Sequence, residues 1–287
     1  MPQVYLNDSI LDAKDATVSA SDGGFLYGVG LYEILRTDGG RIFALSDHLD
    51  RLLTSATALA IACPFDKPAL ESAIRRVLQA NELTDARIRL TLTAGSISEG
   101  DFPQPTLLIT ASPQSAYPQD YYRNGVRVAL ADFRQNPFDP TTGHKTTSFL
   151  SRLTALNRAM KKGCFEAIWF TPAGVLAEAC MSNVFLVKDS ALLTPRIETP
   201  VMPGIARKHV LHLAEQNHIP HQQTDLTISD LLSAQECFLT SVSVKLLPVV
   251  GIEAHTVGDG KVGPVTKKMT EALDRLVASE PAQGDRP

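Results

Sequence analysis

The spacing of apolar and polar residues divides the chain into two blocks of strands and helices. Residues 3–19 read as a strand, a polar turn at Asn7-Asp8 and a second strand. The glycine-dense run SDGGFLYGVG follows, and Gly23, Gly24, Gly28 and Gly30 there predict turns before a strand over 31–37. FALSDHLDRLLTSATALAIA reads as a strand end and then a helix capped by Ser46 or Asp47, with Leu49, Leu52, Leu53, Ala56 and Leu59 on its apolar face. PALESAIRRVLQANEL predicts a second helix, and ARIRLTLTAG and PTLLITASP predict two more strands. In the first of these, Arg87 and Arg89 alternate with Ile88 and Leu90, which sets both arginines on one sheet face. An arginine so placed either accepts a carboxylate through a bidentate pair or simply solvates the strand.

The run SPQSAYPQDYYRNG has no apolar period and reads as a linker between domains. The division expected is residues 1–112, a linker at 113–125, a larger domain at 126–280 and a flexible tail at 281–287. The second block opens with the strand GVRVALADF, an irregular stretch and the helix SRLTALNRAMKKG, ended by Gly163. Strands EAIWFTPA, GVLAEA and VFLVKD follow, with turns at Ala173-Gly174 and Asp189-Ser190. Behind the turn MPG, the residues Ile205, Val210, Leu213 and Ala214 keep helical spacing. TISDLLSAQ reads as a short helix, ECFLTSVSVKLLPVVGI as two apolar strands around a hydroxyl-rich loop, and GPVTKKMTEALDRLVASE as a closing helix.

At 287 residues, 44% hydrophobic and 20% charged, the chain can bury a large core. A formal net charge of -4 gives no electrostatic reason to expect nucleic acid or an anionic membrane as partner. No apolar run reaches the ~20 residues of a membrane span and the N-terminus lacks a leader pattern, so a cytoplasmic protein is expected. The four cysteines are far apart and show no metal-ligand spacing, which predicts reduced thiols and no metal.

The candidate chemistry gathers between positions 178 and 207. Glu178 lies among Ala177, Ala179, Cys180 and Met181, so burial would cost its charge several kcal/mol unless a cation meets it. The helix opening at Gly204, Ile205 and Ala206 presents free amides and a positive dipole end, a phosphate site. Taken singly, either residue reads as well as a strand-edge acid or a turn glycine.

Together the residues form E-x-C-x-x-N-V-F, L-L-T and M-x-G-I-x-R, spanning Glu178, Cys180, Asn183, Val184, Phe185, Leu192, Thr194, Met202, Gly204, Ile205 and Arg207. This pattern resembles the class IV aminotransferases, pyridoxal-phosphate enzymes that include branched-chain and D-amino-acid aminotransferases and aminodeoxychorismate lyase. The resemblance covers nearly the whole chain. It implies an α+β fold of two domains, a small α/β N-terminal domain and a larger C-terminal domain with a barrel-like sheet, and it implies a homodimer. It also implies pyridoxal 5'-phosphate as cofactor, with Lys145 as the Schiff-base lysine and Glu178 facing the ring nitrogen. Asn183 falls within the cofactor site, and Arg51 of His48-Leu49-Asp50-Arg51-Leu52, the Gly204, Ile205 and Ala206 turn, and the loop of Ser241, Val242 and Ser243 would hold the phosphate. Tyr27, Tyr32 and Arg89 stand where the family lines its substrate pocket.

Within the family, Arg89 and the two tyrosines lean toward transfer from an L-branched-chain amino acid to a 2-oxo acid such as 2-oxoglutarate. Glu99 stands near where the D-specific enzymes carry an arginine. Ser148-Phe149 replaces both the Asn-Tyr of branched-chain enzymes and the His-Leu-Asn run of the lyases. A scaffold that binds the cofactor without catalysis is the reading from a different class.

Overall fold

The computed structural model describes residues 1–96, 104–199 and 201–279. Glu99 and the tail expected at 281–287 lie outside the described residues. Packing separates two units: Met1–Ser115 with His144–Phe149 and residues 277–279, and Ala116–Gly143 with Leu150–Leu276.

The first unit is a six-stranded sheet in the order β2-β1-β6-β5-β3-β4, covered by two helices. Its strands are β1 (Gln3–Leu6), β2 (Ser9–Asp12), β3 (Gly30–Asp38), β4 (Arg41–Ile42), β5 (Ala86–Thr93) and β6 (Thr106–Pro113), and the helices are α2 (Leu45–Ala58) and α3 (Lys67–Ala80). Asn7 and Asp8 turn the first hairpin with φ of 43° and 73°, the left-handed pair that matches strand twist. Leu49 and Leu52 from α2 and Leu70, Ile74 and Val77 from α3 bury against Ile88, Leu90 and Leu92 of β5.

Two local expectations are corrected. α2 begins at Leu45, not behind Ser46 or Asp47; its N-cap is Ala44 in the left-handed conformation, φ 49°, with no side-chain cap. The glycine-dense run is not all turn. Asp22 accepts from the Gly24 amide and caps a short helix α1 (Gly23–Tyr27), which Gly28 ends at φ 70°.

Residues 144–149 pack with the first unit although chain order sets them in the second block. β5 pairs with one edge of β3, and the opposite edge would leave amides and carbonyls of residues 30–32 without partners. The Lys145 strip fills that edge: Tyr32 N–H donates to Lys145 O at 2.9 Å and Thr147 N–H to Gly30 O at 2.9 Å. His144 Nδ1 lies 2.9 Å from Ser55 Oγ on α2 and anchors the strip's start.

The second unit opens with α4 (Gln119–Asn124), a helix inside the stretch read as linker. Its nine-stranded sheet contains β7 (Val126–Leu130), β8 (Ala167–Phe170), β9 (Leu176–Ala179), β10 (Asn183–Lys188), β11 (Ala191–Pro195), β12 (His221–Thr224), β13 (Glu236–Ser241), β14 (Lys245–Ile252) and β15 (His255–Thr256). Around it are α5 (Leu150–Lys161), α6 (Ile205–Gln216), α7 (Ile228–Leu232) and α8 (Pro264–Ser279). The polar edge strand β12, HQQT, carries no apolar alternation and was not anticipated. Cys164, Cys180 and Cys237 are buried free thiols and Cys63 is half-buried. No helix among the described residues is long and apolar enough to cross a membrane.

β10 and β13 form the centre of this unit, where Phe185 and Phe238 face each other across the ladder with rings stacked 5.0 Å apart. Both are fully buried. Phe185→Ala should destabilise the protein by about 3–5 kcal/mol through lost contact and a residual cavity. A urea midpoint unchanged from wild type would show that this stack is not what holds the two strands together.

Candidate functional site

In the second unit Glu178 is the third residue of β9, with 2% of its surface exposed. A carboxylate so buried needs both charge and hydrogen bonds supplied by the fold. The Arg152 guanidinium, in the first turn of α5, donates to Oε1, and the Met202 amide donates to Oε2 at 2.9 Å. Arg152 also donates to the carbonyls of Ala179 at 3.3 Å and Cys180 at 3.0 Å. The cation that the buried acid required is therefore present in the chain itself. Sequence reading missed Arg152, although a cation in the first turn of a helix works against the dipole and was a usable signal.

Met202 is the junction of this cradle. Its amide reaches Glu178, and its carbonyl accepts from Asn183 Nδ2 at 2.9 Å. Asn183 thus ties the turn before α6 to β10. A Cβ at position 204 would stand 1.9 Å from Asn183 Oδ1, so only glycine permits this approach. Gly204 is the N-cap of α6 and caps it with no side chain, which leaves the amide end of the helix to an external acceptor. Arg207 points inward, donating to Pro195 O at 2.8 Å and Gln223 Oε1 at 2.7 Å.

Thr240 lies opposite Asn183 across the β10 and β13 ladder, and its buried Oγ1 has no hydrogen-bond partner among the described residues. Ser241 Oγ accepts from the Val244 amide at 3.3 Å, which closes the turn through Val242 and Ser243 and leaves the Ser241 proton free to donate. A carboxylate with spare lone pairs, an uncapped helix start and an unpartnered hydroxyl together fit a phosphorylated cofactor bearing a ring nitrogen.

A second buried acid, Glu166, went unrecognised in the sequence. It accepts from the Met181 amide at 2.9 Å and the Ser182 hydroxyl at 2.8 Å, so it fixes the turn between Glu178 and Asn183. Burial pushes its carboxyl up to about 7, against the pull of those donors.

In the first unit the strip at 144–149 sets Lys145 Nζ 4.5 Å from the centre of the Tyr32 ring. Arg89 lies over the same ring at 4.2 Å, and Phe149 meets it edge-on at 6.0 Å. Three of the expected site residues, Tyr32, Arg89 and Lys145, therefore share one aromatic side chain. Tyr27 does not join them among the interactions of this unit; it ends α1 with 68% of its surface exposed.

Arg51 is held by a partner that sequence reading overlooked. Glu33, 1% exposed on the opposite face of β3 from Tyr32, accepts from Arg51 Nε at 2.8 Å and Nη2 at 2.7 Å. His48 Nδ1 lies 2.7 Å from Glu33 Oε2. Burial holds the imidazole below its ordinary value, so the neutral ring donates from Nδ1 and leaves Nε2 as a bare lone pair, without a partner among the described residues. Burial by itself would raise the Glu33 carboxyl, but Arg51 and His48 overrule it and hold it at about 2.

Residues 30–252 match the family described as amino-transferase class IV. A protein of Methanocaldococcus jannaschii provisionally named as a branched-chain-amino-acid aminotransferase is 34% identical over 94% of this chain and 94% of its own length. A D-alanine aminotransferase of Staphylococcus haemolyticus is 31% identical over 97% of this chain and 99% of its own. Among solved structures, the Escherichia coli branched-chain amino acid aminotransferase superposes with a TM-score of 0.91 at 27% identity, covering 99% of this chain and 96% of that one.

The Glu33 cluster gives a pH dependence whose sign is fixed. A carboxyl held below its ordinary value near 4.5 stabilises the fold fully above that value, and the contribution is lost as pH falls through about 2. Glu33→Gln should cost about 3–5 kcal/mol at neutral pH, the range for removing one partner of a buried pair. It should also flatten the acid limb of stability between pH 4.5 and 2. Equal acid limbs in variant and wild type, read by urea titration at several pH values, would rule this out.

Proposed function

The chain belongs to the class IV aminotransferases, and from that premise we propose that it moves the amino group of an L-branched-chain amino acid to a 2-oxo acid such as 2-oxoglutarate. Enzymes of this class depend on pyridoxal 5'-phosphate, which when bound supplies the electron sink for bond-breaking at the substrate Cα. The observation that carries the reading is the Met202 junction, which holds Glu178, Asn183 and the start of α6 in one hydrogen-bonded set.

In this reading Lys145 Nζ would hold the cofactor by its aldehyde carbon and, as a free amine, would take the proton from the substrate Cα. The Glu178 carboxylate keeps acceptor capacity beyond its bonds to Arg152 and Met202 and would receive the ring N–H of the cofactor. The phosphate falls to the amides of Ile205 and Ala206, with Arg51, the unpartnered Thr240 hydroxyl and the Ser241, Val242 and Ser243 turn as further candidates. Arg89 takes a substrate carboxylate, and the edge-on pair of Tyr32 and Phe149 beside Lys145 offers an apolar wall suited to an aliphatic side chain.

The branched-chain assignment draws support from the Methanocaldococcus relative and the Escherichia coli structure. The D-alanine aminotransferase relatives make stereochemistry the point to test. We further propose a cytoplasmic homodimer.

Donor profiling of the purified holoenzyme decides the substrate. L-Leucine, L-isoleucine or L-valine should yield glutamate from 2-oxoglutarate; D-alanine as the preferred donor would reverse the stereochemical assignment. Pyruvate release from aminodeoxychorismate without an acceptor would instead indicate a lyase. Borohydride reduction with peptide mapping should label Lys145, and an unlabelled Lys145 would sink the catalytic assignment.

Glu178→Gln should reduce turnover by about 100-fold or more, the scale of a lost charge contact to a developing site. Cofactor content, read from visible absorbance, should fall far less. Parallel loss of both would mean that Glu178 only holds the cofactor in place.

A further inference from the structure

Two buried carboxylates in the second unit share one guanidinium. Glu178 is paired with Arg152, whereas Glu166, the residue before β8 and 1% exposed, forms no ion pair among the described residues. Its oxygens take one neutral donor each, the Met181 amide at 2.9 Å and the Ser182 hydroxyl at 2.8 Å. The turn that carries these donors is closed by the Ala179 amide, which donates to Ser182 O at 2.8 Å, and it leads directly into Asn183. Arg152 holds the same turn at the carbonyls of Ala179 and Cys180. Glu166 and Arg152 therefore clamp one short segment that has Glu178 at its start and Asn183 at its end.

The charged and titratable groups that act on Glu166 are Arg152 from α5, Glu178 from β9 and the Cys180 thiol from the turn itself. Burial raises the Cys180 thiol, so it brings no charge. β7 packs alongside through Ala129, whose amide donates to the Glu166 carbonyl at 2.8 Å, and its Arg127 is turned to the carbonyls of Glu253 and His255. Arg152 is the one cation of this set, and Glu178 already holds it. Burial first, with Glu178 adding to it, raises the Glu166 carboxyl against the pull of its two donors and Arg152; the balance stands at about 7.

Ionised Glu166, Glu178 and Arg152 together carry one uncompensated negative charge, which burial penalises. A protonated ring nitrogen on Glu178 would supply the missing positive charge. Ionisation of Glu166 and retention of that ring proton then favour each other, and the coupling acts equally in both directions.

We infer that Glu166 is a positioning residue that, once ionised, sets a second negative charge beside the Glu178 and Arg152 pair and tightens the hold of Glu178 on the cofactor. It acts through the clamped turn and through its charge, without touching ring or substrate. The inference rests on the cofactor role given to Glu178 above.

The test dialyses purified holoenzyme to equilibrium with pyridoxal 5'-phosphate from about pH 6 to about pH 8, either side of the Glu166 value, and reads the bound fraction from visible absorbance. Glu166→Gln keeps an acceptor for the Met181 amide and cannot ionise. The ratio of its dissociation constant to that of wild type should rise about threefold or more across this range. Ser182→Ala removes a donor that favours the ionised form, so the same rise, referred to Glu166→Gln, should begin at higher pH. A ratio that stays constant with pH would reduce Glu166 to a structural clamp and overturn the inference. If Glu166→Gln does not fold, Ser182→Ala against wild type decides: an affinity profile moved to higher pH supports the coupling, and an unmoved profile overturns it. Donor profiling without any transamination would overturn the transaminase reading and leave these profiles, measured without substrate, to decide Glu166. An enzyme that retains no cofactor at any pH would overturn both.

Discussion

The cradle in the second unit depends on one pairing, the Arg152 guanidinium on the Glu178 carboxylate. An acid buried among alanines and a cysteine is a liability until its charge is met, and the fold meets it from two directions. Arg152 arrives on α5 and the Met202 amide arrives from the turn before α6, so one carboxylate fixes the relation of a strand, a helix and a turn. Asn183 completes the set by holding the other side of Met202. Side chains that a cofactor would need are thereby prearranged by bonds the protein makes to itself.

The first unit repeats the device on the core side of its sheet. Glu33 lies beneath β3 with Arg51 and neutral His48 on its two oxygens, and α2 is thereby pinned to the strand. On the other side of the same strand, Tyr32 presents its ring to Lys145 and Arg89. Alternation along β3 makes these two clusters neighbours in sequence and opposites in space. Rigidity generated on one face is delivered to the side chains on the other.

Lys145 itself owes its position to the requirements of a sheet edge. The amide of Tyr32 and the carbonyl of Gly30 need partners, and residues 145 and 147 provide them. Backbone pairing fixes the lysine more firmly than a surface loop could, and it does so directly beside Tyr32, the residue whose ring the amine meets.

Periodicity and spacing alone determined most of the strands and helices, the Asn7-Asp8 and Asp189-Ser190 turns and the start of α6 at Gly204, while the family was read from the resemblance carried by the residues from Glu178 to Arg207. These are legible because they depend on a residue's near neighbours: a left-handed turn, an uncapped helix start and an alternating strand each leave a local mark. Local signals also misled, at the start of α2 and in the helix α1, where a backbone conformation and an Asp22 cap replaced the expected arrangement. What only tertiary structure decided is partnership. No spacing rule joins Arg152 to Glu178, Glu33 to His48 and Arg51, or the Lys145 strip to β3, because each pair is selected by which buried charge or unpaired edge the folded chain brings within hydrogen-bond reach. The sequence specified the groups that burial would leave in need, and the three-dimensional packing chose what satisfied them.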